Sequence, residues 1–225
     1  MATYSYKMSY FEDYSTDLCA VASGYGTDKC SDPHCHGYTL FYKPMFTPRM
    51  HDELNVAEIG IAKGASIKTW CDYFPKSQIY GFDVDSTCIE EFNVNNPNIN
   101  ARLAFMDVRD ADSIINGFKD TGVMFDLIID DSTNEFEDQI RIIRNTYQYL
   151  KPGGFLVIED ILMNAVESNY DDALWDVLRV FKDAYFVTVE HPKQDPDGLN
   201  NHKLLIFVKG GGPHIFWQFY NLLRE

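Results

Sequence analysis

From Asn55 onward the chain alternates short apolar runs with segments of helical spacing, and no other feature limits its folds as much. Residues 55–60 read as a buried strand that ends at Gly60, and 65–74 carry Ile67, Trp70, Cys71 and Phe74 at helical spacing. Strands are expected again at 78–83, 101–106, 125–130 and 155–159, with helices at 86–93, 110–119 and about 135–150. The run at 125–130 is apolar with little alternation, as suits a strand covered on both faces. Lys151-Pro152-Gly153-Gly154 is a helix stop. Regular alternation with short connections implies a parallel sheet with helices on both faces. The remainder reads as a helix at 167–182, a strand at 185–190, a polar loop at 191–202 and a strand at 203–208. The last two strands are joined by a loop, so they are expected to close the sheet edge as an antiparallel hairpin. The expected fold class is α/β: a doubly wound sheet of seven strands with an antiparallel last strand.

The segments outside this alternation define the expected organisation. Residues 1–53, rich in Tyr and Phe, read as an N-terminal helical lid or cap, 54–210 as the core, and 211–225 as a C-terminal helix. The apolar spacing of 215–225 suits packing on the body or on a second copy, so a homo-oligomer is one expectation. No apolar run nears the ~20 residues that cross a bilayer. The first residues lack the basic start and apolar core of a secretory signal. The reading is therefore a cytoplasmic protein without membrane partners.

The formal net charge of -15 repels phosphate backbones, and the 19 Lys and Arg residues are scattered. Nucleic acid is thus not expected as a partner; a neutral substrate, or a site that holds a cation, suits the charge better. Five cysteines, Cys19, Cys30, Cys35, Cys71 and Cys88, do not form a disulfide framework by number or spacing. Cys30, His34, Cys35 and His36 crowd into seven residues. Four adjacent ligands rarely close a tetrahedron, so a loop is preferred to a zinc knuckle.

In open α/β sheets, ligands bind beyond the carboxyl ends of the strands. After the first expected strand come Glu58, Gly60, Gly64 and Ser66. The glycines permit a tight turn and close approach of the backbone, and the helix beginning near Ser66 offers free N–H groups. Asp83 ends the second strand, 23 residues past Gly60, where an acid accepts hydrogen bonds from ribose hydroxyls. Asp107, after the third strand, is placed to meet an adenine amino group. The spacing Glu58-x-Gly60-x-x-x-Gly64 resembles the acid-x-G-x-x-x-G motif of S-adenosylmethionine (SAM) methyltransferases more than a dinucleotide fingerprint.

Further acids stand at the ends of the next two strands: Asp130 and Asp131, then Glu159 and Asp160. These strands are neighbours in a doubly wound sheet. Four carboxylates side by side repel one another unless something positive is bound. Mg²⁺ or Mn²⁺ suits oxygen donors of this kind. The competing reading is that the acids cap helices or bind the cofactor without metal, Asp130 above all. Asp126 opens its strand and is expected to be solvated.

Three stretches together resemble the metal-dependent sugar O-methyltransferases of macrolide pathways, the macrocin and mycinamicin type, within the Rossmann-like class I SAM methyltransferases. They are Gly26-Thr27-Asp28-Lys29 with His36-Gly37-Tyr38 and Tyr42; the 58–66 loop with Trp70, Phe74-Pro75 and Tyr80-Gly81-Phe82-Asp83; and Asp130-Asp131 with Lys151-Pro152-Gly153-Gly154 and Glu159-Asp160. The resemblance spans residues 26–160. It implies metal ligands at Asp131, Glu159 and Asp160. It also implies cofactor contacts from Glu58, Gly60, Asp83 and Asp107, with Thr27, Lys29, Tyr38, Gly64, Ser66 and Asp130 added to that set, and a 26–42 segment folded over the site. The acceptor implied is the hydroxyl of a small molecule or glycan.

One position departs from the family pattern. Where that pattern has a histidine, which the resemblance implies as general base, this chain has Asn134, which cannot take up a proton at neutral pH. Three alternatives stay open. Either the metal acidifies the hydroxyl so that water or Asp131 suffices, or His191 or His202 supplies the base, or the protein is silent. A catechol-type O-methyltransferase, a silent SAM-binding partner protein and, further off, an NAD oxidoreductase are the rival functions.

Overall fold

The computed structural model describes residues 1–7, 17–191 and 202–211. Eight strands form one sheet: β1 (Ala2–Lys7), β2 (Asn55–Ile59), β3 (Gln78–Asp83), β4 (Ala101–Phe105), β5 (Phe125–Asp130), β6 (Leu150–Ile161), β7 (Phe181–Glu190) and β8 (Lys203–Lys209). Their spatial order is β1-β7-β8-β6-β5-β2-β3-β4. All pairings are parallel except those of β8, which runs antiparallel to both β6 and β7. The seven strands expected from the sequence are all present, including the antiparallel last one. The strand order reverses at β2, whose two neighbours are β3 and β5, and that reversal opens a crevice at the carboxyl ends.

Two features differ from the sequence reading. The β7–β8 hairpin is not the edge of the sheet, because residues 2–7, expected within a helical lid, lie parallel to β7 from Tyr185 to Glu190. An edge strand presents unpaired backbone groups, and this N-terminal segment satisfies those of β7. The helix expected at 167–182 ends early, as α7 (Glu167–Leu174), since Phe181 already opens β7. The remaining helices are α1 (Asp17–Tyr25), α2 (Tyr38–Phe46), α3 (Ala65–Tyr73), α4 (Ser86–Asn95), α5 (Ala111–Thr121) and α6 (Phe136–Thr146). The expected C-terminal helix at 211–225 lies outside the described residues beyond position 211, as does most of the 191–202 loop. No described helix is long and apolar enough to cross a membrane.

Strand side chains alternate between faces, so each central strand feeds two cores. Val56, Leu127, Ile129, Phe155 and Val157 pack with α1 to α4, around Trp70, Phe41 and Phe74. Ala57, Ile59, Ile128, Leu156 and Ile158 pack on the other face, with residues of α5 to α7 such as Phe118, Ile143 and Leu174. Nearly every one of these is fully buried, which explains strands without a polar face.

Candidate active site

The turn after β2 is built around two glycines that no other residue can replace without movement. Gly60 has φ +83°, and a Cβ there would lie 2.2 Å from the Asp131 carbonyl oxygen and 2.5 Å from Ser132 Cα. Gly64, at φ +75°, precedes α3, and its Cβ would fall 2.2 Å from the Phe92 ring. Asp83, at the end of β3, ties the loop down. Its Oδ2 accepts the N–H groups of Ile61 and Ala62, both at 2.9 Å, and its Oδ1 accepts that of Asp85 at 2.9 Å. Asp107 accepts the Arg109 N–H at 2.9 Å.

Two cavities with shared lining residues lie over these strand ends. One, of about 500 Å³, is bounded by Gly26 to Asp28, the glycine loop, Ser66, Asp83 and Asp131. The other, of about 200 Å³, is lined by Asp83, Met106, Asp107, Arg109 and Thr133 among others. Gly60, Asp83 and Ser132 border both. Together they reach the size of pockets that hold drug- or cofactor-sized ligands. Asp83 borders both cavities, whereas Asp107 borders only the smaller one.

The period-two alternation of the strands sorts the acids. Glu58 follows Val56, Asp131 follows Ile129 and Glu159 follows Val157, so all three face the α1–α2 layer. Lys29, 1% exposed, reaches into their midst from the loop before α2. Its Nζ donates to Asp131 Oδ2 and Glu159 Oε2, each at 2.5 Å, and lies 3.3 Å from Glu58 Oε1. Glu58 Oε2 also accepts the Trp70 indole N–H at 3.0 Å, and Glu159 Oε1 accepts the Tyr42 hydroxyl at 2.5 Å. Burial alone would lower the Lys29 pKa, but Asp131, Glu159 and Glu58 hold it well above the ordinary lysine range. Burial raises the carboxyls of Glu58, Asp131 and Glu159 against the opposing pull of Lys29.

Lys29 therefore belongs to this cluster, whereas the sequence reading put it among the cofactor contacts. The repulsion among strand-end acids, read as a call for a metal, is met in part by that ammonium. Asp130 falls on the opposite face, away from both cavities. Its Oδ1 accepts the Ser132 N–H at 3.2 Å and hydroxyl at 2.6 Å, and burial pushes its pKa up to about 7. Asp130 shapes the turn that Gly60 abuts.

The donor chemistry suits a hard divalent cation. Oxygens of Asp131 and Glu159 converge on one point, and the Lys29 ammonium at that point stands in for a cation. Asp160, the third implied ligand, has φ +58° and accepts the Tyr38 hydroxyl at 2.9 Å. Burial, then the charge of Asp131, pushes it up to about 7. Among the described residues, no three His, Cys, Asp or Glu side chains are gathered closely enough to ligate one ion in this arrangement.

His36 lies beside Asp160, Nε2 to Oδ1 3.5 Å, stacked on Tyr38 at 4.9 Å, with its own pKa lowered by burial to about 4. The two late histidines join it: His202 meets the His36 ring edge-on at 5.4 Å, and His191 Nε2 is 2.9 Å from the Cys35 carbonyl oxygen. Thr27 and Ser66 are buried beside the larger cavity. Asn134 is exposed and borders neither cavity. Asp126, expected to be solvated, is buried instead. It accepts from Arg49 at 2.9 Å, from Lys151 at 2.7 Å and from the Asn55 N–H at 2.9 Å.

Tyr42 and Trp70 were legible only as parts of motifs; their bonds to Glu159 and Glu58 had no sequence signal. A charged residue inside an apolar strand, as Glu58 and Glu159 are, signals a buried partner, because an unpaired buried charge is too costly.

Known proteins share the fold and part of the sequence. Residues 57–158 match a family model described as a methyltransferase domain. The chain is 28% identical over 153 residues to mycinamicin VI 2''-O-methyltransferase of Micromonospora griseorubida, covering 64% of this chain and 36% of that protein. It is 27% identical over 165 residues to a Streptomyces olivaceus 2'-O-methyltransferase of rhamnosyl tetracenomycin C, covering 69% and 41%. The chain thus spans about two fifths of the length of these curated relatives. The solved structure of the MycE methyltransferase with Mg, S-adenosylhomocysteine (SAH) and mycinamycin VI superposes with a TM-score of 0.68 at 21% identity, over 88% of this chain and 57% of that one. The methyltransferase-domain match runs from β2 into β6, and the described sheet shares its fold with the MycE methyltransferase, so this chain resembles the SAM methyltransferases in fold and in that stretch of sequence.

Proposed function

We propose that the chain binds SAM along the two cavities and transfers its methyl group to a hydroxyl of a small-molecule acceptor. A sugar hydroxyl in glycan or glycosylated natural-product synthesis is the acceptor we favour. The observation that carries the reading is that Gly60, Asp83 and Ser132 border both cavities, with Asp131 lining the larger and Asp107 the smaller. The names of the curated relatives support the sugar acceptor, since both are O-methyltransferases and one acts on a rhamnosyl tetracenomycin C.

In this reading Asp107 accepts the adenine amino group and Asp83 the ribose hydroxyls, while the glycine loop lets the backbone approach the cofactor. Thr27 and Ser66 close the wall of the larger cavity, and the 26–42 segment excludes water from it. Glu58 acts through Trp70 and Lys29, supporting the loop from below. In the transfer, the acceptor oxygen forms a bond to the methyl carbon as the bond from carbon to sulfur breaks. The electron pair goes to sulfur, SAH is released, and the hydroxyl proton leaves. Alignment of oxygen, methyl and sulfur is the main contribution of such a site. Mg²⁺ or Mn²⁺ held by Asp131, Glu159 and Asp160 would supply Lewis acidity toward the acceptor hydroxyl. His36, 3.5 Å from Asp160 and edge-on to His202, offers a route for the departing proton.

The test begins with calorimetric titration of SAH into the wild-type protein and Asp83→Ala. The wild type is expected to bind. Loss of the charge-assisted bonds of Asp83 should weaken binding about 10- to 100-fold. No binding by the wild type would overturn the proposal. Turnover is then read on sugar and catechol acceptors with and without Mg²⁺. Catechol turnover alone would favour the aromatic-diol reading. SAH binding without turnover on either would favour a silent SAM-binding protein, the alternative that Asn134 motivates.

A further inference from the structure

We infer that Lys29 is a built-in competitor for the divalent-cation position, so that metal binding at Asp131 and Glu159 requires the Lys29 ammonium to leave. The inference rests on the metal reading of the proposed function. It goes beyond that reading by coupling the metal to the segment that covers the site.

The geometry is specific. Asp131 Oδ2 and Glu159 Oε2 both lie 2.5 Å from the same nitrogen. A Mg²⁺ ion bound by those two oxygens takes distances of about 2.0–2.1 Å, and so falls where the nitrogen stands. Two cations cannot share that point. The charge count also leaves room for exchange, since three carboxylates, Glu58, Asp131 and Glu159, surround a single ammonium.

The backbone of Lys29 is braced. Its carbonyl accepts the Thr39 N–H at 2.9 Å, and the flanking Asp28 and Cys30 carbonyls accept the N–H groups of His36 and Gly37 at 2.8 Å. The side chain, by contrast, has somewhere to go. The larger cavity begins at Thr27, Asp28 and Asp131, and Asp28 offers an exposed carboxylate there. Displacement thus needs side-chain rotation into the cavity, with the loop as its anchor. Metal-free protein would then hold its cluster neutralised from within, and the ion and the lysine would exchange places as the site fills.

The experiment measures Mn²⁺ binding by loss of the free-ion electron paramagnetic resonance signal, for wild type and Lys29→Met at one pH and ionic strength. A lysine that holds the position nine-tenths of the time weakens apparent affinity about tenfold, so Lys29→Met should bind Mn²⁺ at least about tenfold more tightly. Equal or weaker binding by a folded Lys29→Met overturns the inference.

Removing a buried cation also endangers folding, so a second measurement uses the wild type alone. Lys29 is acetylated by acetic anhydride across a Mn²⁺ titration and quantified by mass spectrometry against exposed Lys119. Lys29 should be protected without metal and become reactive as Mn²⁺ binds. Unchanged labelling overturns the inference. If Mn²⁺ binds while Lys29 stays protected, the competition fails and the metal reading survives. If Mn²⁺ binds neither protein, both fail.

Discussion

Gly60→Ala is the sharpest single test of how this site is built. Two effects add. The left-handed φ of +83° costs a residue with a Cβ roughly 1–2 kcal/mol. The new carbon would also sit 2.2 Å from the Asp131 carbonyl oxygen, with Ser132 Cα at 2.5 Å and the Asp131 carbonyl carbon at 2.6 Å. All three atoms are backbone, so relief requires the ends of β2 and β5 to part by about an ångström. That movement strains the Asp131 N–H bond to the Ile59 carbonyl, now 2.8 Å, whose loss is worth about 0.5–1.5 kcal/mol. The expected total is about 1.5–3.5 kcal/mol, and the same shift draws Asp131 away from Lys29. Gly122→Ala separates the two effects, since Gly122 has φ +69° with nothing within 4 Å of its Cβ. It should cost only the conformational part, about 1–2 kcal/mol. Urea unfolding of both variants, with SAH titration of the folded proteins, makes the measurement. If Gly60→Ala loses no more stability than Gly122→Ala and binds SAH as the wild type does, the close approach of the loop to the β5 turn is not what holds the site.

Two further outcomes are expected. For Asp126, burial pushes the pKa up, but the bonds from Lys151, the Asn55 N–H and Arg49 outweigh it and hold the carboxyl below its ordinary value. Its stabilisation is therefore full above the unfolded pKa of about 3.9 and lost as pH falls through the lower folded value. Asp126→Asn should cost about 2–4 kcal/mol at pH 7, with the gap to wild type closing below about pH 4, read from urea midpoints across pH. Asn134→His, at an exposed position, should leave stability within about 0.5 kcal/mol of wild type. Methyl transfer should be unchanged or raised; a collapse would show that Asn134 has a role of its own.

The fold was legible because its determinants are local. The strand at 78–83 and that at 125–130 match the observed elements residue for residue, since apolar runs bounded by turn residues leave few other conformations. Element ends were less legible. The helix predicted over 167–182 gave way to a strand from Phe181, because pairing with β8 outweighs the local helical spacing. The N-terminal strand was missed for a related reason: its partner lies more than 170 residues away, and a short polar-aromatic stretch carries no mark of it.

For the site, the sequence by itself determined which residues stand at or just past the ends of β2 to β5: Gly60, Asp83, Asp107 and Asp131, with Glu159 two residues inside the end of β6. Alternation along the strands already contains the separation of Asp130 from Asp131. What only the tertiary structure decided is the company those residues keep. Lys29 meets Asp131 across 102 positions and Glu159 across 130. Arg49 and Lys151 likewise find Asp126, turning an apparently solvated acid into a buried one. Periodicity and turn chemistry act over a few residues, and they set the elements. Neutralisation of a buried charge acts through space, and its partner is known only once the chain has folded.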